Sequence, residues 1–349
     1  MDDEQLIQAC VPLLVDWCAA VRRPLPWRLE PTPYHIWISE IMLQQTRIEA
    51  VIPYYARFLA ALPDIPALAA VEEDRLLKLW EGLGYYSRAR NLKKAAMKVM
   101  AEFGGALPRE AGRLKTLPGI GDYTAGAIAS IAFGEPEPAV DGNVLRVLTR
   151  LLARGDDIMQ PKTRADLAAL LKQNYPTGEA AGLLTEGIME LGETICIPNG
   201  APKCESCPLA ALCRAGARGE EERYPVKAPP KARRIEERTV LLLRCGERFA
   251  VRKREAKGLL AGLWEFPALG GKQSAEEVAE AVRARGGAVL CCEPCGEAKH
   301  VFTHVEWHMT GYAIALENEL PGLTWKTPAE IRRDCPFPTA LRYYLKKLK

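Results

Sequence analysis

Residues Leu117 to Arg150 read LPGIGDYTAGAIASIAFGEPEPAVDGNVLRVLTR. Leu117-Pro118-Gly119-Ile120-Gly121 is a tight turn with a glycine on each side of Ile120, so positive φ or a close backbone approach meets no Cβ. A small-residue run from about Tyr123 to Phe133 predicts a helix fed directly by that turn. Exposed amides at such an N-terminus donate hydrogen bonds to a phosphate oxygen. After a break from Gly134 to Pro138, Ala139-Val140-Asp141-Gly142-Asn143 places a carboxylate at the entry to the next helix, where it also suits an N-cap. A phosphate grip and an acid twenty residues apart point to an enzyme that holds a nucleic-acid backbone and does chemistry beside it.

The totals set the bounds. A chain of 349 residues predicts two domains, and 48% hydrophobic with 26% charged residues is ordinary for globular protein. A net charge of +3 is only mildly basic, so a nucleic-acid surface has to come from how charge is distributed. No window approaches eighteen uninterrupted apolar residues, and Asp2, Asp3 and Glu4 do not begin a signal peptide. The expectation is a cytoplasmic, bacterial-type protein associated with the nucleoid, with no membrane partner. Eleven cysteines in such a chain predict metal ligation or free thiols, not disulfides.

Along the chain, helices are expected over about 5–21, 48–62, 66–71, 73–80, 87–102 and 108–115, with another begun by Thr32-Pro33. In that last helix Glu40 sits among Ile36, Trp37, Ile41 and Leu43. It reads either as a surface glutamate at the edge of an apolar face or as a buried acid whose pKa is raised by desolvation. Gly82-Leu83-Gly84-Tyr85-Tyr86-Ser87-Arg88 gathers aromatic and guanidinium groups suited to stacking and phosphate contact, or to a helix cap with core tyrosines.

Cys196, Cys204, Cys207 and Cys213, separated by seven, two and five residues, read as metal ligands. Spacing alone leaves structural zinc and a [4Fe-4S] cluster both open. A proline- and glycine-bearing linker follows. The final stretch then changes period to strands over 238–244, 248–253, 264–267 and 307–316, with helices over 274–285 and 338–348. His300, His304 and His308 lack a spaced acid and do not match a metal site, and Cys291, Cys292 and Cys295 read as core thiols.

The hairpin and the VDGNV segment together resemble the helix-hairpin-helix DNA glycosylases, most of all the MutY-type adenine glycosylases, and the resemblance covers nearly the whole chain. It implies a multidomain protein. An all-α helix-hairpin-helix glycosylase domain with an iron–sulfur cluster loop would span 1–215, a linker 216–236, and a smaller α+β Nudix-like domain 237–349. It further implies a monomer that flips adenine out of duplex DNA containing an A:8-oxoguanine or A:G mispair and hydrolyses its N-glycosidic bond.

By the same resemblance each site residue has an expected role. In SEIMLQQT, Glu40 would protonate the adenine, while Leu43 and Gln45 enter the base stack. Tyr85 would contact DNA near the lesion, and Leu117, Gly119 and Gly121 would bind the backbone at the hairpin. Asp141 would stabilise the sugar cation, with its pKa pushed apart from that of Glu40, and Asn143 and Tyr123 would support the pair. Cys196, Cys204, Cys207 and Cys213 would hold a [4Fe-4S] cluster, with one residue more in the first interval than the common six, two, five spacing. Phe302-Thr303-His304 matches a Phe-Ser-His loop that senses 8-oxoguanine, with threonine in place of serine.

Three other readings compete. An endonuclease III-like pyrimidine glycosylase and lyase needs a lysine where Tyr123 stands, and a phenol forms no imine. A non-catalytic DNA damage-binding protein would not need both Glu40 and Asp141. An 8-oxo-dGTP hydrolase needs a Mg²⁺-binding glutamate helix that Glu276, Glu277 and Glu280 do not reproduce.

Overall fold

The computed structural model describes residues 1–228 and 232–348. It divides into two compact units: 1–70 with 91–228, and 71–90 with 232–348. Residues 71–90, expected within the helical domain, pack with the C-terminal part. Lys78 Nζ donates to Cys335 O at 3.4 Å, Tyr86 Oη to Phe337 O at 3.2 Å, and Lys253 pairs with Asp74 at 2.6 Å.

The first unit is helical. Asp3–Val21 opens it with a capping box between Asp2 and Gln5, which satisfies amides the helix itself leaves free. By length and composition alone this helix could cross a membrane, although Gln5, Gln8 and Asp16 interrupt its apolar run. It nonetheless buries Leu6, Ile7, Cys10, Leu14 and Cys18 in the core of the unit. At the centre lies Gly142–Leu152, buried continuously from Val144 to Leu152. A helix enclosed on all sides must satisfy its polar side chains internally. Arg146, Thr149 and Arg150 do so through backbone carbonyls, Asn143 and Cys196.

The hairpin joins Ala111–Leu114 to Asp122–Ala127. Gly119 has φ +81, and a Cβ there would lie 2.7 Å from Asn91 Cβ, so only glycine fits this turn. The helix expected to run to Phe133 leaves α geometry early: Ile128–Ala132 is π-helical. The expected linker is also shorter. Short turns at Gly216–Arg218 and Glu221–Arg223 pack on the first unit, with Ile158 N donating to Val226 O at 3.1 Å. A strand already begins at Arg234, while the linker prolines Pro229 and Pro230 lie outside the described residues.

The second unit is built on a mixed sheet. Its strands are β1 (Arg234–Cys245), β2 (Arg248–Lys253), β3 (Trp264–Glu265), β4 (Ala268–Gly270), β5 (Val289–Val301), β6 (Val305–Leu316) and β7 (Thr324–Lys326). The order is β3-β2-β1-β6-β5, with β4 added to β1 and β7 to β2. β1 and β6 run parallel from Arg234↔Val305 to Cys245↔Leu316.

Alternation along the strands gives each face its own core. Val240, Leu242, Trp307 and Met309 meet Ile331, Phe337 and Tyr344, while Leu241, Leu243, Tyr312 and Ile314 meet Val278 and Val282. β5 was not expected as a strand. It is an edge strand with a register shift between Pro294 and Gly296, where proline and a bulge are tolerated. Cys292 packs toward one core and Cys295 toward the other, whereas Cys291 is exposed, contrary to its expected core position.

Candidate active site

In the first unit a cavity of about 1030 Å³ is lined by Glu40, Tyr123, Asp141 and Asn143, and by Leu43, Gln45 and Gly121. Thr32 caps the Pro33–Leu43 helix by accepting from His35 N at 3.2 Å, and Glu40 sits on that helix, 6% exposed. Burial raises its pKa to about 7, opposed by the hydrogen bond from Tyr123, with Asp141 and Glu186 raising it and Arg28 lowering it. Tyr123 Oη donates to Glu40 Oε2 at 2.8 Å and approaches Met189 Sδ at 3.6 Å. Glu40 is thus a buried acid and not a surface residue.

Asp141 caps the next helix and faces the cavity at once. Its Oδ1 accepts from Val144 N at 2.8 Å and its Oδ2 from Asn143 Nδ2 at 3.1 Å. Burial raises its pKa, against lowering by the amides of Val144 and Asn143 and by Arg146. The two carboxyls are therefore shifted in the same direction, and the large shift is that of Glu40. What separates them is their donors: several fixed N–H groups at Asp141, one rotatable hydroxyl at Glu40.

The mouth carries strain. Gln45 has φ +57, a left-handed conformation that costs a non-glycine residue about 1–2 kcal/mol. At the hairpin, Leu117 is 2% exposed, so its part is packing, while Gly119 and Gly121 are exposed.

Sequence reasoning missed the wall opposite Glu40. Arg28 pairs with Glu186 at 3.1 Å and Glu190 at 3.0 Å, Arg22 with Glu186 at 3.2 Å, and Arg23 with Glu190 and with Glu193 at 2.7 Å. The spacing of Glu186, Glu190 and Glu193 along one helix face was the available signal. Arg146 was missed too. It donates to Asn143 Oδ1 at 2.8 Å and to Cys196 O at 2.7 Å, joining the Asp141 neighbourhood to the cysteine loop.

The four cysteines gather beside this helix. Arg150 Nη1 donates to Cys196 Sγ at 3.3 Å and Gly216 N to Cys213 Sγ at 3.4 Å. Burial pushes the Cys204 and Cys207 thiols up to about 11; Cys207 senses Cys196 and Cys213, and Cys204 senses Cys207 and Cys213. Among the described residues no three His, Cys, Asp or Glu side chains are grouped closely enough for a single metal ion. Four neighbouring thiols are a donor set that suits either a structural zinc ion or an iron–sulfur cluster. Glu221, which accepts from Cys204 Sγ at 3.5 Å, and Arg150 O, which accepts from Cys213 Sγ at 3.6 Å, favour the neutral thiols. Arg214 is occupied by Asp3 at 2.5 Å.

In the second unit a separate cavity of about 560 Å³ is lined by Tyr85, Phe302, Thr303 and His304 with the 258–261 loop. Tyr85, itself at φ +48, has its hydroxyl 3.5 Å from Thr303 Oγ1. Phe302 packs edge-on to Trp307 at 4.9 Å, and Arg238 lies over Trp307 at 4.1 Å. His308 is held 2.6 Å from Glu306.

Comparison with known proteins finds two family matches along the chain, the first of them running through residues 71–90. Residues 38–173 match the HhH-GPD superfamily of base excision DNA repair proteins, and 239–347 match the NUDIX domain. Adenine DNA glycosylase of Homo sapiens is 34% identical, across 91% of this chain and 70% of the human protein. That of Buchnera aphidicola subsp. Acyrthosiphon pisum (strain APS) is 33% identical, across 84% of this chain and 83% of the relative. Among solved structures, a thermostable thymine-DNA glycosylase superposes with TM-score 0.56 at 28% identity, covering 61% of this chain and 98% of that one. A non-covalent endonuclease III–DNA complex gives TM-score 0.53 at 27% identity, covering 63% of this chain and 99% of that one. The relatives that extend through both units are adenine glycosylases, and the chain belongs to the adenine DNA glycosylase family of base-excision repair enzymes.

Proposed function

We propose that this enzyme excises adenine paired with 8-oxoguanine or guanine in duplex DNA, and that it does so without cutting the strand. The observation carrying the reading is the Tyr123 hydroxyl donated to a buried Glu40 at 2.8 Å, in a cavity that Asp141 also lines. Glu40, its pKa raised by burial to about 7, keeps a protonated form at neutral pH and can give its proton to a ring nitrogen of the flipped base. The bond between that base and C1′ breaks, and its electron pair leaves with adenine. Asp141, held by N–H donors, stabilises the cationic sugar. Water then bonds to C1′ and gives its proton to a carboxylate. Tyr123 offers no amine for a Schiff base, which supports base removal alone.

Around this centre, Leu43 and the strained Gln45 are assigned to the vacated stack, and Gly119 and Gly121 to the backbone at the hairpin. Tyr85, Phe302, Thr303 and His304 are assigned to the base opposite adenine; that they share one cavity supports this. Cys196, Cys204, Cys207 and Cys213 would hold a [4Fe-4S] cluster, which when bound supplies a rigid, charged brace for the loop. The enzyme acts as a monomer, in the cytoplasm and on the nucleoid.

The test is excision from a labelled duplex carrying adenine opposite 8-oxoguanine, developed with and without hot alkali. A break that requires alkali supports the reading. A break without alkali means lyase chemistry and overturns the monofunctional assignment; binding with no abasic site overturns catalysis. Repeating the assay opposite guanine and with Thr303→Ala tests whether the second cavity reads the opposite base.

A further inference from the structure

The helix that carries Tyr123 changes form within two turns. Asp122–Ala127 is α-helical and Ile128–Ala132 is π-helical, a wider turn that persists where neighbouring groups hold it. Three buried hydroxyls meet there. Ser130 Oγ lies 2.6 Å from Thr185 Oγ1, and Tyr175 Oη lies 2.5 Å from the same atom. Ser130 also donates to Gly126 O at 2.7 Å. Thr185 Oγ1 also lies 3.0 Å from Ala181 O; with Tyr175 donating to Thr185, Thr185 to Ser130 and Ser130 to Gly126 O, each hydroxyl donates once across the three shorter contacts. Ser130, Thr185 and Tyr175 are 1%, 2% and 8% exposed, and none lines the active-site cavity.

The chain continues a contact that ends on the catalytic acid. Tyr123 and Ser130, seven residues apart, share a helix face, as do Thr185 and Met189, four apart. Tyr123 meets Met189 at 3.6 Å and Ser130 meets Thr185 at 2.6 Å, two rungs of one antiparallel crossing. Backbones approach closely between them: a Cβ on Gly182 would lie 3.2 Å from Ile131 Cα, and Ile131 itself lines the cavity. The residue after Thr185 is Glu186, on the cavity wall.

We propose that the Ser130–Thr185–Tyr175 chain is a positioning network for adenine excision, pinning the π turn against the Glu179–Thr194 helix and so setting the Tyr123 hydroxyl on Glu40 and Glu186 on the cavity wall. The three residues act through Tyr123 and Glu186, not on the substrate. The inference rests on the reading of Glu40 as the acid.

The test uses the full chain and a duplex with adenine opposite guanine, under single turnover across pH, together with duplex affinity and thermal stability. Thr185→Val keeps the shape and removes the hydroxyl. It is expected to bind duplex like the parent, to lose roughly ten-fold in excision rate, and to shift the alkaline limb of the pH profile. Thr185→Ser restores both. Tyr175→Phe removes only the outermost hydroxyl, is expected to shift rate and limb in the same direction by less, and carries the test if Thr185→Val does not fold. A folded Thr185→Val or Tyr175→Phe with parental rate and limb overturns the proposal. So does a Thr185→Ser as impaired as Thr185→Val, which would assign the effect to packing. Glu40→Gln separates the two levels. If it keeps parental rate and limb, the acid reading fails; if it is inactive while Thr185→Val is parental, only the network fails.

Discussion

Replacing Tyr123 with phenylalanine removes one oxygen from the active site and leaves the ring. The hydroxyl donates to Glu40 Oε2 at 2.8 Å, and of the influences on that carboxyl it is the largest that lowers the pKa. Without it, burial is opposed only by Arg28, so the pKa must rise above about 7. A hydrogen bond to a charged acceptor is worth about 1.5–3 kcal/mol, and 1.36 kcal/mol is one pKa unit, which caps the rise at about 1–2 units. The same hydroxyl also bonds the protonated acid, so the difference between the two forms is smaller, about 0.5–1 unit.

A general acid works in its protonated form, so excision should fall as pH climbs through the Glu40 pKa. In Tyr123→Phe that alkaline limb moves up by the same ~0.5–1 unit. The assay is single-turnover excision over neutral and alkaline pH at saturating enzyme, with Glu40→Gln alongside. The plateau height reports whatever else Tyr123 does; the position of the limb isolates this bond. A limb that stays in place, or moves to lower pH, refutes the reasoning.

Three further outcomes follow from the same geometry. Glu40 has a folded pKa raised from 4.5 to about 7, so the stability it contributes is present below its unfolded pKa and is lost as pH rises through about 7, up to ~3 kcal/mol. Glu40→Gln should therefore be more stable than the parent at alkaline pH and not at acid pH by chemical denaturation; an equal difference at both would count against the burial account. Arg28→Met leaves the buried Glu186 and Glu190 short of a partner and should cost about 3–5 kcal/mol, while raising the Glu40 limb, measured by denaturation and the same pH profile. Cys207→Ser should lose most iron and sulfide per chain along with thermal stability, and full retention of both would remove Cys207 from the ligand set.

Much of this was legible because local chemistry and tertiary need agree. The Ser87–Glu102 helix and the β2 strand match their expected limits, since periodicity and end signals coincide there. Thr32-Pro33 and Asp141 announce helix starts that the structure uses. The carboxylates and cysteines were recognisable from short motifs. What stayed hidden depends on what lies across the fold. β5 contains Cys-Cys-Glu-Pro-Cys-Gly, poor strand material that is admissible only at a sheet edge. Residues 71–90 precede the hairpin in sequence, and nothing local says that they pack with a sheet begun at Arg234. The π turn at Ile128–Ala132 reads as ordinary helix until Thr185 stands opposite Ser130.

The burial of so many acids around this cavity needs a reason, because the polymer it must receive is itself anionic. Glu40, Asp141, Glu186, Glu190 and Glu193 all line it. Left as free charges they would repel phosphate and drive Glu40 further toward the neutral form. The arginines change both terms. Arg22, Arg23 and Arg28 offset the three glutamates of one helix pair by pair, which leaves a hydrogen-bonded wall of little net charge. Asp141 has only a more distant Arg146 but is held by the Val144 amide and the Asn143 side chain, which stabilise its ionised form. Glu40, by contrast, has among the described residues a phenol as its hydrogen-bond partner, which serves either protonation state. Burial raises both carboxyls, so the direction of the shift does not assign their proposed roles. The donor set supports the proposed division: the carboxyl whose ionised form is bonded in place suits the electrostatic partner, and the one without such bonds suits the proton donor.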